Sequence, residues 1–186
     1  SSGKMGYSIA EAAGSRGAET VLVSATTSLP EPTNTRVINV ETAVQMREAI
    51  IKESVEADAL IMAAAVSDWR PVKTSTRKLK KTQHDTMKIE LEKNPDILKE
   101  IHGDKLVKVG FAAETENIIA NAKVKILEKD LHLIVANDIT ASDSGFGSDN
   151  NKVYILDRSN VVEELPLMTK LKVGHHILDR VATLIR

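Results

Sequence analysis

Short apolar runs alternate with segments of helical periodicity along this chain, and that alternation limits the folds open to it. The runs "TVLVSA" (20–25) and "RVINV" (36–40) precede a helical pattern that Thr42 and Gln45 begin as a capping box. The run "DALIMAAAV" (58–66) is apolar throughout, as expected of a strand covered on both faces. Strands that alternate with helices join through right-handed crossovers. The pattern predicts an α/β fold, Rossmann-like and three-layered, with a mainly parallel sheet and helices on both faces.

The second half of the chain continues the alternation. "MKIELE" (87–92) alternates like a half-exposed strand, and "LVKVGFAAE" (106–114) and "LHLIVAND" (131–138) are further strands. "KVYILD" (152–157) is expected to form a hairpin with the stretch after Arg158. A helix closes the chain. Its predicted inward residues are Leu171, Leu178, Val181 and Ile185.

Length and composition exclude several classes of protein. A chain of 186 residues fits a single domain spanning 1–186. A formal net charge of -1 gives no reason to expect nucleic acid or a membrane surface as partner. Cysteine is absent, which excludes disulfides and thiolate metal sites and fits a cytoplasmic protein. The stretch 69–86 is basic, polar and hard to bury, and predicts a flap rather than a second domain.

The opening "SSGKMG" is a glycine-rich turn directly before a helical pattern. Such a turn presents free backbone N–H groups to an anion, so Ser1, Gly3 and Gly6 suit a phosphate or nucleotide. An ordinary tight turn is the alternative. The turn does not match the dinucleotide-binding motif, because it has no third glycine and the expected acidic residue is missing further along the chain. The phosphate-loop motif fails because Met5 follows Lys4.

Small and polar residues follow three of the predicted strands. Ala64 and Ala65 would let a ligand approach the backbone, and Asp68 could accept from a ligand hydroxyl or amide. A turn or N-cap aspartate is the alternative for Asp68. "VGFAAET" and "VANDIT" each end an apolar strand with small or amide groups, and Asn137 could contact a base edge or a phosphate, or cap a loop.

Two basic stretches are candidates for binding polyphosphate, although each also fits a solvated surface. The first, "RKLKKT", contains Arg77, Lys78, Lys80 and Lys81. The second lies on a predicted helix, where a polar ridge is formed by Asn117, Asn121, Lys125 and Lys129. Ile119, Ala122 and Ile126 fall on another face of that helix, which is expected to reach the core.

Seven stretches in this order resemble one family: "SSGKMG", "AAAVSDWRP", "KLKK", "KNPDI", "VGFAAET", "VANDI" and "GFGSDNN". The family is phosphopantothenate–cysteine ligase of the bacterial and archaeal type. The resemblance implies a ligase that joins 4′-phosphopantothenate and L-cysteine with CTP and Mg²⁺ in coenzyme A biosynthesis. It implies an acyl-cytidylate intermediate, with phosphopantothenoylcysteine, CMP and pyrophosphate as products. It also implies a homodimer and, in many members, an upstream fused flavin-dependent decarboxylase domain.

The resemblance assigns roles to individual residues. Lys78 matches the functional lysine of the family's flap, with Lys80 and Lys81 beside it. The other matched positions contact the nucleotide or the phosphopantothenate: Ser1, Gly3, Gly6, Ala64, Ala65, Asp68, Asn94, Pro95, Asp96, Ile97, Phe111, Lys125, Lys129 and Asn137. No protein metal ligand is implied.

The resemblance also implies an asparagine two positions before Ser1 and an earlier glycine-rich turn. The sequence is therefore expected to lack the N-terminal strand and turn of the ligase domain. Two other functions stay open from the residues alone. One is a non-catalytic nucleotide-binding module, and the other is an NAD(P)-dependent reductase.

Overall fold

The computed structural model describes residues 2–75, 77–78, 86–114, 116–138, 143 and 147–185. The helices are α1 (Lys4–Ser15), α2 (Ala43–Glu53), α3 (Ile97–Glu100), α4 (Ile118–Glu128) and α5 (Lys170–Leu184). The first five strands are β1 (Thr20–Ala25), β2 (Thr35–Val40), β3 (Ala59–Met62), β4 (Trp69–Pro71) and β5 (Leu91–Lys93). The remaining strands are β6 (Val107–Glu114), β7 (Leu133–Asp138), β8 (Asn150–Asp157) and β9 (Val162–Thr169).

The described strands form three separate sheets. A five-stranded sheet has the order β3-β6-β7-β8-β9, and β1 and β2 form a parallel pair of their own. Within the large sheet β3, β6 and β7 run parallel, whereas β8 and β9 are antiparallel additions at one edge. The predicted hairpin after Arg158 is thus confirmed as β8–β9. The third sheet pairs β4 with β5 at the base of the predicted flap.

Helices cover both faces of the large sheet, so the predicted three-layer α/β arrangement is confirmed. On one face Ile9 of α1 and Val173 and Ile177 of α5 pack on alternate strand residues such as Val109 and Val135. On the other face Ala122 and Ile126 of α4 pack on the intervening strand residues, which include Ile134, Ala136 and Leu156. A third cluster joins α2 to α3 through Met46, Ile50, Ile97 and Ile101.

Local signals fix where the first two helices begin and end. The predicted capping box of α2 is present: Gln45 N donates to Thr42 Oγ1 at 3.1 Å, and Thr42 N donates to Gln45 Oε1 at 3.1 Å. Helix α1 ends at Ser15, and Gly17 follows with φ 81°, a conformation that glycine adopts without strain.

Several expectations about burial are wrong. Ile119, Leu171 and Ile185 were expected in the core, but their side chains are exposed. In α4 the neighbouring Ile118 packs against the core instead, because it lies one turn before Ala122 and two turns before Ile126 on the buried face.

Two predicted strands are also shorter than expected. Only residues 91–93 of "MKIELE" and its flank form a strand, and that strand is exposed. The run 58–66 forms a strand only over Ala59–Met62, and this strand is half-buried rather than covered.

Two glycines of α1 differ in the space around them. A Cβ on Gly14 would lie 2.7 Å from the backbone oxygen of Thr33, a separation that real Cβ atoms do not show. A Cβ on Gly6 would meet nothing within 4 Å. Gly14 therefore permits close approach of the loop before β2, whereas Gly6 leaves open space beside the helix.

This difference predicts opposite effects of the same substitution. Gly6→Ala should stabilise the fold by up to about 1 kcal/mol, because alanine is the better helix former. Gly14→Ala should destabilise it by about 1–3 kcal/mol, because the loop must shift to relieve the contact. Urea denaturation of both variants measures the two changes. A stabilising Gly14→Ala would contradict the packing described for this loop.

Candidate functional site

A large cavity opens beside the start of α1 and between β1 and β3. Its volume is about 1430 Å³, and it is lined by Gly3, Gly6, Ala64, Ala65 and Asn94 among the sequence-predicted site residues. The residues that follow β1 and β3 also line it. Ligands of open α/β sheets bind beyond the carboxyl ends of the strands, so this is where the topology favours a site.

The turn before α1 leaves backbone donors available at the cavity. Gly3 occupies the N-cap position with φ 77°, and no side chain caps the helix there. The first intrahelical bond runs from Tyr7 N to Gly3 O at 3.1 Å, so the N–H groups of the preceding residues have no partner within the helix. Such amides attract an anion. Ser1, the first of the predicted phosphate contacts, lies outside the described residues.

Lys4 is turned to the other side of the helix start. Its Nζ donates to Gly147 O and to Asp149 Oδ1, both at 2.7 Å, and this hydrogen bond lowers the pKa of the Asp149 carboxyl. Lys170 Nζ donates to Ser148 O and, at 3.1 Å, to Asn150 O. The two lysines anchor the described end of the "GFGSDNN" stretch to the start of α1 and α5.

Asn94 ties together the two sides of the flap's base. Its N–H donates to Asp68 O at 2.8 Å, and its Nδ2 donates to Ser67 O at 2.8 Å. Arg70 Nη1 donates to Asn94 Oδ1 at 3.0 Å. The Asn94 amide is thus engaged by the protein on both ends, while the Asp68 side chain is exposed. Asn94 holds the segment after β3 in place at the mouth of the cavity.

The "KNPDI" stretch and the end of α4 come together. Lys129 Nζ lies 3.1 Å from Asp96 Oδ2, which joins the N-cap of α3 to the C-cap of α4. Pro95 is half-buried beside this pair, and Ile97 is 2% exposed within the core. Lys125, one turn before Lys129, is half-buried and engaged in an interaction of its own.

Phe111 and Asn137 lie on neighbouring strands near their carboxyl ends. Phe111 is opposite Val135, and Asn137 is opposite Ala113, so both side chains share the face that α1 covers. Asn137 is buried and engaged. Asn151 of β8 donates from Nδ2 to Met5 Sδ of α1 at 3.5 Å. The predicted amide site is therefore close to the first turn of α1.

The predicted flap lysines stand apart from this arrangement. Lys78 is exposed, and no described contact joins it to the cavity. Lys80 and Lys81 lie outside the described residues. Within the described part of the chain, no group of three or more His, Asp and Glu side chains could hold a metal ion.

Sequence reasoning missed the Tyr7–Ser24 pair. The Tyr7 hydroxyl lies 3.1 Å from Ser24 Oγ, and both residues line the cavity. The serine that interrupts the apolar "TVLVSA" was the available signal, because a buried hydroxyl needs a partner.

The profile of the DNA/pantothenate metabolism flavoprotein C-terminal domain matches residues 1–185. This chain belongs to that family. The coenzyme A biosynthesis bifunctional protein CoaBC of Bacillus subtilis is 43% identical over 187 residues, covering 99% of this chain and 46% of the relative. CoaBC of Escherichia coli K12 is 40% identical over 190 residues, covering 98% and 46%. The chain spans about half the length of these curated relatives.

Solved structures agree with the family assignment. The crystal structure of the C-terminal domain of CoaBC superposes with a TM-score of 0.83 at 39% identity, covering 99% of this chain and 83% of that chain. A mutant of Cab2 in complex with phosphopantothenate-cysteine superposes with a TM-score of 0.76 over 100% of this chain and 79% of that chain. Its 15% identity means that this second likeness concerns the fold alone. The resemblance drawn from the ordered motifs is confirmed at the level of the family.

None of the helices in the described part of the chain is both long and apolar enough to cross a membrane.

His132 lies just before β7 and is hydrogen-bonded to Lys108 of β6. Its Nδ1 accepts a hydrogen bond from Lys108 N at 3.1 Å, which requires that this nitrogen carry no proton. Burial, assisted by the nearby Arg158 charge, lowers the pKa of His132 below its ordinary value of about 6.5.

The lowered pKa of His132 predicts that the fold is less stable in acid. The unfolded chain binds the His132 proton more readily than the folded chain, so the free energy of unfolding should fall as pH drops below about 6.5. His132→Asn should flatten this part of the profile, and His102→Asn, at an exposed position, serves as the matched control. Chemical denaturation at several pH values between about 7 and 5 measures how the free energy of unfolding changes with pH. An identical slope in the wild type and in His132→Asn would contradict the assignment.

Proposed function

We propose that this chain is a ligase domain that joins 4′-phosphopantothenate to L-cysteine with CTP. The match of nearly the whole chain to the C-terminal half of CoaBC proteins carries the proposal. The cavity at the carboxyl ends of β1 and β3 supports it, because the uncapped start of α1 and the small residues Gly6, Ala64 and Ala65 line it.

The proposed chemistry has two steps and needs no protein nucleophile. The carboxylate of phosphopantothenate attacks the α-phosphorus of CTP, the bond to pyrophosphate breaks, and an acyl-cytidylate forms. The cysteine amine then attacks the acyl carbon, CMP leaves and the nitrogen loses a proton. Positive charge and backbone donors beside the triphosphate stabilise the charge that develops on the leaving pyrophosphate, and positioning of the amine assists the second step.

The first turn of α1 is proposed to hold the phosphates. The amides that follow Gly3 have no side-chain cap, and the open space beside Gly6 lets a ligand reach the helix backbone. Ala64 and Ala65 are exposed on the opposite wall and leave room for the pantetheine arm or the ribose. Ser1 and Asp68 complete this set in the proposal.

Lysines at the end of α4 are proposed to reach the triphosphate. Lys129 would exchange Asp96 for a phosphate, since its ion pair is partly exposed and therefore weak. Lys125 lies one turn away on the same ridge. Phe111 and Asn137 are proposed for the nucleotide pocket, and Lys78, with Lys80 and Lys81, for the flap that covers the reacting groups.

Magnesium fits the proposal as an ion carried by the nucleotide. Mg²⁺ in such sites is bound by substrate phosphates with only one or two carboxylates. The exposed carboxylate of Asp68 is proposed to hold the metal-bound phosphate rather than to be a permanent metal ligand. When bound, the ion would neutralise charge on the phosphates.

Nucleotide binding is the direct test. We expect CTP with Mg²⁺ to bind more tightly than ATP, and NADPH not to bind. Lys129→Gln and Lys125→Gln should each weaken CTP binding by about 1–3 kcal/mol, or roughly five- to 150-fold, as for hydrogen bonds to charged groups. Lys123→Gln, an exposed lysine of the same helix, is the matched control and should leave binding unchanged.

Isothermal calorimetry measures these affinities, and circular dichroism verifies the fold. Binding of NADPH but not CTP would favour a reductase and overturn the proposal. Pyrophosphate release that requires phosphopantothenate would establish the first step directly.

We also propose a homodimer formed through the base of the flap. Trp69 and Leu91 lie at opposite ends of the β4–β5 pair, and each side chain is 50% exposed. Ile89, just before β5, is 62% exposed. Large apolar side chains exposed together on one short strand pair are typical of a subunit interface. In this arrangement the flap carrying Lys78 reaches the partner's site.

The dimer predicts a mass and a sensitive position. Sedimentation at micromolar concentration should give twice the chain mass of 20.3 kDa. Ile89→Asp should shift the protein to monomer with its circular dichroism intact. Leu127→Asp is the control, because Leu127 is also an exposed apolar side chain but lies on α4, and it should leave the dimer unchanged. A monomeric wild type would contradict the proposal.

A further inference from the structure

One hydrogen bond on the cavity wall has a fixed direction. The Tyr7 hydroxyl lies 3.1 Å from Ser24 Oγ, and Ser24 Oγ itself donates to Ala25 O at 2.8 Å. A serine hydroxyl has a single proton, so Ser24 can only accept at its contact with Tyr7. The order of donation therefore runs from Tyr7 to Ser24 and from Ser24 to the backbone carbonyl of Ala25.

This order determines what Tyr7 offers to a bound molecule. A phenol has a single proton and accepts hydrogen bonds through its oxygen lone pairs. The proton is used on Ser24, which is 7% exposed, whereas Tyr7 is half-buried and lines the cavity. Toward the cavity the Tyr7 oxygen is therefore an acceptor only. It can receive a hydrogen bond from a ligand donor, but it has no proton to give to a phosphate or a carboxylate.

This acceptor lies one helical turn from the amides that are proposed to bind phosphate. Tyr7 N donates to Gly3 O at 3.1 Å in the first turn of α1. The free N–H groups at the start of that helix attract an anion. Tyr7 and the Gly3 turn therefore distinguish between the two parts of a ligand that carries both a phosphate and an uncharged donor. The phosphate belongs at the Gly3 turn, and the uncharged donor belongs at Tyr7.

Thr27 supplies a donor on the same side of the Gly3 turn. Thr27 Oγ1 and Tyr7 Cδ2 each lie 3.7 Å from the point that a Cβ on Gly3 would occupy, and Thr27 also lines the cavity. Thr27 Oγ1 accepts from Leu29 N at 3.2 Å, and within the described residues its own proton has no acceptor. A hydroxyl group on the ligand suits both residues, because it can donate to Tyr7 and accept from Thr27.

We propose that Tyr7 and Thr27 bind a hydroxyl group of the substrate, with Tyr7 as the acceptor and Thr27 as the donor. The inference rests on the proposed function and deepens it, because it names the residues that select one group of the ligand. Both proposed substrates carry such a group: CTP has its ribose hydroxyls, and phosphopantothenate has an alcohol beside its amide. On the opposite wall Ala64 and Ala65 have no polar side-chain atom, so the hydroxyl turns toward β1.

The test removes the hydroxyl from the ligand and the acceptor from the protein in turn. The ligands are CTP with its 2′-deoxy and 3′-deoxy forms, and phosphopantothenate with a form that lacks the alcohol. Phosphopantothenate is titrated in the presence of α,β-methylene-CTP, which cannot release pyrophosphate. Calorimetry measures each affinity for the wild type and for Tyr7→Phe, and circular dichroism verifies the fold. Tyr154→Phe is the matched control, because Tyr154 lies on β8, donates to Glu164 Oε1 at 3.3 Å and does not line the cavity.

We expect removal of one particular hydroxyl to weaken binding to the wild type and to Tyr154→Phe by roughly three- to tenfold, the size of an uncharged hydrogen bond. The same removal should weaken binding to Tyr7→Phe by less than about twofold, because the two changes act on one interaction. The ligand that shows this coupling identifies the hydroxyl as that of the ribose or that of the acid.

A second variant tests the direction of the hydrogen bond, which a merely structural role of Tyr7 would not affect. Ser24→Ala removes the acceptor of the Tyr7 proton, so Tyr7 can then donate to the ligand as well as accept from it. The O-methylated form of the identified hydroxyl can accept but cannot donate. The preference for the hydroxyl over its methyl ether should therefore fall by about three- to tenfold in Ser24→Ala. Ser24→Thr keeps the acceptor and should retain the preference of the wild type.

The results that would overturn the inference differ from those that would overturn the proposed function. Equal effects of hydroxyl removal in the wild type and in Tyr7→Phe, for both ligands, would overturn the inference alone. So would an unchanged preference in Ser24→Ala. If the wild type binds neither CTP nor phosphopantothenate, the proposed function is wrong and the inference is wrong with it.

Discussion

The buried ammonium of Lys108 is the interaction on which the rest of this structure depends. Lys108 lies in β6 and is 3% exposed, with its Nζ directed at the ends of two helices. It donates to Ile101 O at 3.0 Å and Leu98 O at 3.4 Å, just after and within α3, and to Lys129 O at 3.2 Å, after α4. Asp130 Oδ2 lies 3.7 Å away. Burying a charged ammonium costs free energy unless it is hydrogen-bonded. Here its partners are carbonyl groups at helix ends, which have no hydrogen-bond donor within their own helices.

This single side chain positions both halves of the Asp96–Lys129 pair. Asp96 precedes α3, and Lys129 follows α4. Lys108 therefore holds the end of α3 that is opposite Asp96, and it binds the backbone carbonyl of Lys129 directly. The carbonyl of Lys129 is held in the interior while its ammonium stays partly exposed at the surface. A lysine anchored through its backbone can exchange a carboxylate for a phosphate without moving the helix. The proposed triphosphate contact therefore rests on a rigid support.

The sequence pattern predicted the order of the elements well and their burial less well. Residues 20–25, the capping box of Thr42 and the β8–β9 hairpin depend on short-range signals, and all three are present. The burial of Ile119 and Leu171 depends on the rotation of each helix about its own axis, which residue spacing alone does not determine, and both side chains are exposed. Lys108 within "LVKVGFAAE" looks like the solvated side of a strand, because its three carbonyl partners come from residues up to 21 positions away.

The candidate site was predictable for a different reason. Gly3, Ala64 and Asn94 come from distant stretches, and their periodicity does not bring them together. The resemblance of the ordered motifs predicted that these residues share one site. The topology explains why they lie close together, since parallel strands place their carboxyl ends at one edge of the sheet. The half-buried state of Leu22 and Ile61 marks a disagreement between the local pattern and the environment. The local pattern reports what these residues prefer, whereas their environment depends on which described strands pair beside them.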